Sequence, residues 1–150
     1  MKYIVLCGRI LFSLIFVMTF AGHFSEQVIG YAASQGVPLA SITVPLSGVI
    51  ALLGGLSVVL GYKAKWGGWS LVFFLVPVTF KMHNFWAVQD PMMAMMQQAM
   101  FMKNISMLGG ALLISYFGAG PLSLDARVRA RSVQHAPGRE AERPSAAVIA

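Results

Sequence analysis

Eight side chains in this sequence could meet a ligand or move a proton: His23 and Glu26, then Lys81, His83, Asn84 and Trp86, then Lys103 and Asn104. An imidazole titrates near neutral pH, so His23 or His83 could exchange protons. The Lys103 ammonium and the Asn104 carboxamide could hydrogen-bond a carbonyl or an anion, and the Trp86 indole could pack on a ring. Two further chemistries fare worse. A pair of imidazoles in a helix bundle can hold haem, but His23 and His83 fall at the edges of apolar stretches and no second pair exists. Seven methionines between Met92 and Met107 offer thioethers to Cu(I), yet methionine is ordinary apolar filling for a helix. Haem and copper are therefore not expected, and no metal ligands are assigned. No HExxH pair, phosphate-binding glycine loop or nucleophile elbow is present, so no catalytic residue is assigned either.

The elements that must position these groups follow from composition. Of 150 residues, 57% are hydrophobic and 11% charged, with a mean hydropathy of +0.72. That excludes an ordinary soluble domain and a chain disordered over most of its length. Cys7 is the sole cysteine, which excludes an internal disulfide. A membrane-spanning helix needs about 20 mostly apolar residues. Four stretches come near that length, at about 3–23, 42–62, 66–83 and 93–118.

The first stretch is interrupted only by Arg9, whose long stem could carry its charge back to the interface. It is too long for a signal-peptide core and lacks a good cleavage site, so it is expected to remain as an anchor. Thr43 and Pro45 suit the start of the second span, and Gly61 its end. Trp66 and Trp69 suit the headgroup level at the start of the third, where Pro77 should bend the helix. Asp90-Pro91 reads as a cap followed by proline at the first helical position, and Gly118 to Pro121 as a stop.

Of the 11 lysines and arginines, only Lys81 and Lys103 fall on the side opposite the rest, so both termini are expected in the cytoplasm. The net charge of +6 is then an orientation signal, and no nucleic-acid partner is expected. A short interfacial helix could occupy the 24–41 connection. The expected architecture is all-α: an integral membrane antiparallel four-helix bundle, up-down-up-down, over residues 1–125. A flexible basic cytoplasmic tail is expected over 126–150, with Arg127, Arg129 and Arg131 near anionic lipid.

Small residues should mark the helix contacts, with Ser47, Ala51 and Gly55 on one face of the second span and Ser106 and Gly110 on the fourth, beside Gly54 and Gly109. Orientation places the eight candidate residues together on the outer side, which predicts a shared outward-facing polar pocket. Lys103 should find an acid there, and Glu26 is the expected partner because Asp90 is wanted as a cap.

Gly8-Arg9, Gly54-Gly55 with Leu60-Gly61, His83-Asn84-Phe85-Trp86, Lys103-Asn104 with Gly109-Gly110, and the closing Gly118 to Asp125 follow one another in an order and spacing that resembles the DoxX family of small four-span bacterial inner-membrane proteins. The resemblance runs from about Gly8 to Asp125. It implies a multi-pass protein of the bacterial inner (plasma) membrane and, as in some relatives, a subunit supporting quinone- or thiol-linked oxidoreduction at the outer leaflet. It makes His83, Trp86, Lys103 and Asn104 the first candidates for function. Two charges of the redox-active relatives are missing, at Ala51 and near His23 or Ser25. In this reading a quinone is the expected cofactor, His83 exchanges a proton, Lys103 stabilises negative charge and Asn104 orients the substrate. The chain supplies no electron carrier, so a redox partner subunit or the quinone must, and a homo-oligomer is compatible. The alternatives are a non-enzymatic scaffold or assembly partner, or a carrier for a small solute.

Overall fold

The computed structural model describes residues 2–134, and among these it is helical with no strand. Six α-helices follow one another: α1 Lys2–Met18, α2 Glu26–Ser34, α3 Ala40–Leu60, α4 Ala64–Met82, α5 Pro91–Phe117 and α6 Leu124–Gln134. Short 3-10 turns at Phe20–Phe24 and Phe85–Ala87 follow α1 and α4. Among the described residues three segments are long and apolar enough to cross a membrane, namely Lys2–Phe24, Ala40–Leu60 and Pro91–Phe117. The expected third span, α4, is absent from that set. Its first turns hold Lys65, Gly67 and Gly68, and Lys81 sits near its end, which dilutes an otherwise apolar helix.

The long helices pack in chain order, α1 on α3, α3 on α4 and α4 on α5. Successive ones run antiparallel. Gly55 abuts Phe16 while Gly48 abuts His23; Gly68 faces Ser115 while Phe80 stacks edge-on to Phe101. One end of the molecule therefore gathers Arg9, Gly61, Lys63 and Gly118, and the other gathers His23, Met82 and His83.

Side chains are distributed as lipid, not water, would require. The core is small, made of Phe16, Ala51, Val58, Leu71, Leu75 and Ala111. Large apolar side chains point outward instead, among them Leu11, Leu53, Phe73, Leu113 and Phe117, each more than 60% exposed. Burying such groups adds nothing in hydrocarbon, so helix association rests on close backbone approach and satisfied polar groups. Glycines supply the approach. A Cβ on Gly54 would lie 3.1 Å from the Gly67 carbonyl, and one on Gly68 would lie 3.0 Å from that of Ala111. Gly54 of α3 is therefore met by Gly67 of α4, which the sequence does not single out, while the next residue, Gly68, makes the close approach to α5. Gly110 makes room for the Phe12 ring, whereas a Cβ on its neighbour Gly109 would meet nothing within 4 Å.

Several local expectations hold. Asp90 Oδ1 accepts from the Met93 amide at 2.8 Å with Pro91 opening α5. Gly61 ends α3 at φ 64° and Gly118 ends α5 at φ 79°. The 24–41 connection contains α2, capped by Ser25. Others fail. Helix α3 begins three residues before Thr43, from Leu39 at φ 49°, and the Thr43 hydroxyl donates back to the Pro38 and Leu39 carbonyls. Where a structureless tail was expected, α6 continues to Gln134, with Asp125 in its first turn; the remainder of that expectation, residues 135–150, lies outside the described residues.

Candidate functional site

The eight candidate residues do not share one pocket. His23 and Lys81 line a largely apolar groove of about 450 Å³ between α3 and α4, roofed by α2 and the loop after it. His83 belongs to a hydrogen-bonded chain instead. Its Nδ1 donates to Gln97 Oε1 at 2.8 Å, Gln97 Nε2 donates to the Tyr31 hydroxyl at 2.9 Å, and Tyr31 donates to the Met82 carbonyl at 3.2 Å. That chain ties α2 to the end of α4 and to α5. Tyr31 was not among the candidates, since an aromatic residue in an apolar connection gives no sign that its hydroxyl is needed.

Lys103 is exposed, and its ammonium donates to Met100 Sδ of its own helix at 3.1 Å, so the expected ion pair with Glu26 is not formed. The reason is rotational. Six residues separate Gln97 from Lys103, which at about 100° per residue turns Lys103 roughly 120° away from the face that meets His83. Asn104, seven residues on, returns to that face and is buried, as is Ala111 a further seven along. Glu26 is exposed in the first turn of α2. Asn84 precedes the 3-10 turn, its carbonyl accepting from the Ala87 amide at 2.9 Å. Trp86 is exposed and packs edge-on against Phe85 and Phe101. The shared polar pocket is thus replaced by a groove, a structural hydrogen-bond chain and outward-facing side chains. Among the described residues no three His, Cys, Asp or Glu side chains cluster to hold a metal.

The groove presents few polar atoms. His23 lies flat against α3 because Gly48 has no side chain: a Cβ there would stand 2.6 Å from His23 Cβ. Its Nδ1 faces the Thr19 carbonyl at 3.0 Å and must carry the proton, because a carbonyl only accepts. The Ser47 hydroxyl on the wall is already spent on the Val44 carbonyl at 2.7 Å. The Thr43 hydroxyl is likewise turned to backbone carbonyls, and the rest of the wall is apolar, including Val44, Ile50, Phe73, Phe74, Pro77 and Val78. Such a surface can hold an apolar chain, with Lys81 and His23 to meet a polar group at its end.

The opposite end holds the arrangement least legible in the sequence. Arg9 does not reach back to the interface but is 4% exposed. Its Nη1 donates to the Ala119 carbonyl at 2.7 Å, and its Nη2 to that of Leu122 at 3.0 Å and, more weakly, to Val59 at 3.4 Å. Gly61 admits it, since a Cβ there would lie 2.8 Å from Nη1 and 2.4 Å from Ser123 Cβ. Asp125 completes the joint. Its carboxylate accepts from the Lys63 and Ala64 amides at 2.8 and 3.1 Å, and its own amide donates to the Gly61 carbonyl at 2.8 Å. The start of α1, the turn between α3 and α4, and the segment after α5 are thereby locked together. Among the described residues, Arg9 Nε and Ser13 Oγ are the buried side-chain atoms without a partner.

Fold and side-chain placement together define a small, multi-pass helical membrane protein whose lipid-facing surface carries the large apolar groups. The family is shown by sequence comparison: the SURF4 family model matches residues 1–130, and the chain belongs to that family. It is 29% identical over 127 residues to the inner membrane protein YqjF of Escherichia coli, covering 81% of this chain and 88% of that one. It is 27% identical over 124 residues to the ER-derived vesicles protein ERV29 of Saccharomyces cerevisiae, covering 82% of this chain but 33% of ERV29. No solved structure matches. The expected DoxX membership is overturned by the family match. Gly8-Arg9, Leu60-Gly61 and Gly118 to Asp125, which carried much of that resemblance, converge on the Arg9 joint.

Proposed function

We propose that this protein is a non-enzymatic, four-span protein of the bacterial inner membrane that binds a partner in the membrane through the groove between α3 and α4. The single observation behind this reading is the groove itself, with apolar walls, His23 and Lys81 as its ionisable groups, and no converging set of acid, base and nucleophile. Its occupant is an apolar chain segment of a partner membrane protein, approaching sideways past Leu46 and Phe73, which are exposed on the lipid side. Helix α4 serves as the fourth span. Its charged ends, Lys65 and Lys81, lie 16 residues apart, about 24 Å along a helix, close enough for both to reach headgroups. The bias of lysine and arginine puts the Arg9 end and both termini in the cytoplasm, and the groove in the outer half. The bacterial inner-membrane setting is supported by YqjF, which is named as an inner membrane protein of Escherichia coli.

The reading is tested by placing a photo-crosslinking residue at Leu46 or Val78 in the full chain in cells, with the lipid-facing Leu113 as control. A discrete protein adduct from the groove positions, missing from Leu113, is expected. Identical patterns from all three positions would remove the groove as a docking site. Stoichiometric quinone retained by the purified protein, and lost in a Val78→Trp variant, would overturn the non-enzymatic assignment.

A further inference from the structure

A second cavity, of about 650 Å³, opens at the Arg9 end between the start of α4, the end of α5 and α6. Three cations line it, Lys63 and Lys65 from α4 and the turn before it and Arg129 from α6. They come from different elements, so their proximity is a product of the fold and not of a run of charge in sequence. Among the described residues the one acid on its wall is Asp125, and both of its oxygens already accept backbone amides. The lining therefore keeps a formal surplus of two positive charges, three cations against one carboxylate.

The surroundings indicate how the anion would arrive. Trp66 and Phe117 line the same cleft and are 74% and 72% exposed, an arrangement suited to the boundary between acyl chains and headgroups. The Lys65 stem lies against Gly118, 3.5 Å from where a Cβ would stand, which holds it across the end of α5. The Lys63 ammonium rests 5.7 Å from the Tyr62 ring centroid. A cationic recess with an aromatic floor at the bilayer surface matches a charged headgroup whose chains stay in lipid.

We infer that this cleft is a binding site for the phosphodiester headgroup of an anionic phospholipid. Lys63, Lys65 and Arg129 contact the phosphate, and Trp66 and Phe117 pack along the upper acyl chains. This site is separate from the α3–α4 groove and stands or falls independently of it.

The test is native mass spectrometry of the full chain released from nanodiscs containing equal amounts of phosphatidylglycerol and phosphatidylcholine. One retained phosphatidylglycerol per chain is expected, preferred over phosphatidylcholine. Each neutralised contact should reduce that preference by about fivefold, so Lys63→Gln with Lys65→Gln and Arg129→Gln should abolish it. Arg127→Gln, which removes equal charge from α6 outside the cleft, and Lys81→Gln at the far end should leave it intact. Equal loss in those controls, or full retention by the triple variant with an unchanged helical circular dichroism spectrum, would overturn the site. Displacement of the bound lipid by inorganic phosphate alone would reassign it to a soluble anion.

Discussion

Replacing Arg9 by methionine should destabilise this protein more than any comparable change at its lipid-facing surface. The guanidinium makes two well-formed bonds, at 2.7 Å to the Ala119 carbonyl and 3.0 Å to that of Leu122, and one long contact to Val59. A hydrogen bond to a charged group contributes about 1.5–3 kcal/mol, so losing two removes about 3–6 kcal/mol. Methionine refills much of the volume and relieves the cost of burying a charge, which brings the expected loss to about 3 kcal/mol. Lysine keeps the charge but lacks the planar fork that reaches two carbonyls at once, and should recover about half of that loss. The assay is equilibrium unfolding of the full chain in mixed micelles with increasing dodecyl sulfate, followed by circular dichroism. An Arg9→Met midpoint within error of the parent, at unchanged slope, would refute the joint and restore the picture of an arginine merely reaching for the interface.

The same assay separates two adjacent glycines: Gly110→Ala should cost about 1–3 kcal/mol because Phe12 Cε2 stands 2.8 Å from the new methyl. Gly109→Ala meets nothing and should be neutral or stabilising by up to about 1 kcal/mol. Asp125→Ala should cost about 1–2 kcal/mol by uncapping the start of α4, with faster amide exchange at Lys63 and Ala64. Tyr31→Phe should cost about 1 kcal/mol and raise proteolysis within α2, since its hydroxyl links that helix to Gln97 and Met82.

What could be read in the sequence, and what could not, divides along one physical line. Helix positions followed from apolar run length and from local stop and start chemistry such as Asp90-Pro91 and Gly61, which depend on neighbours in the chain. The site depended on rotation about helix axes, which depth sorting ignores. Lys103 and Asn104 are adjacent in sequence and equal in depth, yet one is exposed and the other buried. Counting residues back to Gln97 would have parted them, had the partner of His83 been known. The α3–α4 groove had no polar signature to find, and Gly48, which seats His23, reads like any other glycine in a membrane helix.

Arg9 shows the converse, a residue conspicuous in sequence whose meaning was inverted by the fold. A lone arginine in an apolar run has two ways to avoid hydrocarbon, to extend toward water or to find carbonyls freed at helix ends. The second needs several helix ends to converge, and here the last turn of α3 and the segment between α5 and α6 bring the carbonyls of Val59, Ala119 and Leu122 to one guanidinium. The same convergence leaves both Asp125 oxygens on backbone amides, so that among the described residues lining the cleft Lys63, Lys65 and Arg129 outnumber the acids three to one. The contacts that lock the joint thus also create the positive cleft beside it. Asp125→Glu, which keeps the formal charge but displaces the carboxylate from the two amides, should accordingly weaken lipid retention although no lysine or arginine has been touched. A variant that lost the cap but kept the lipid would show that the cations hold their places without the joint.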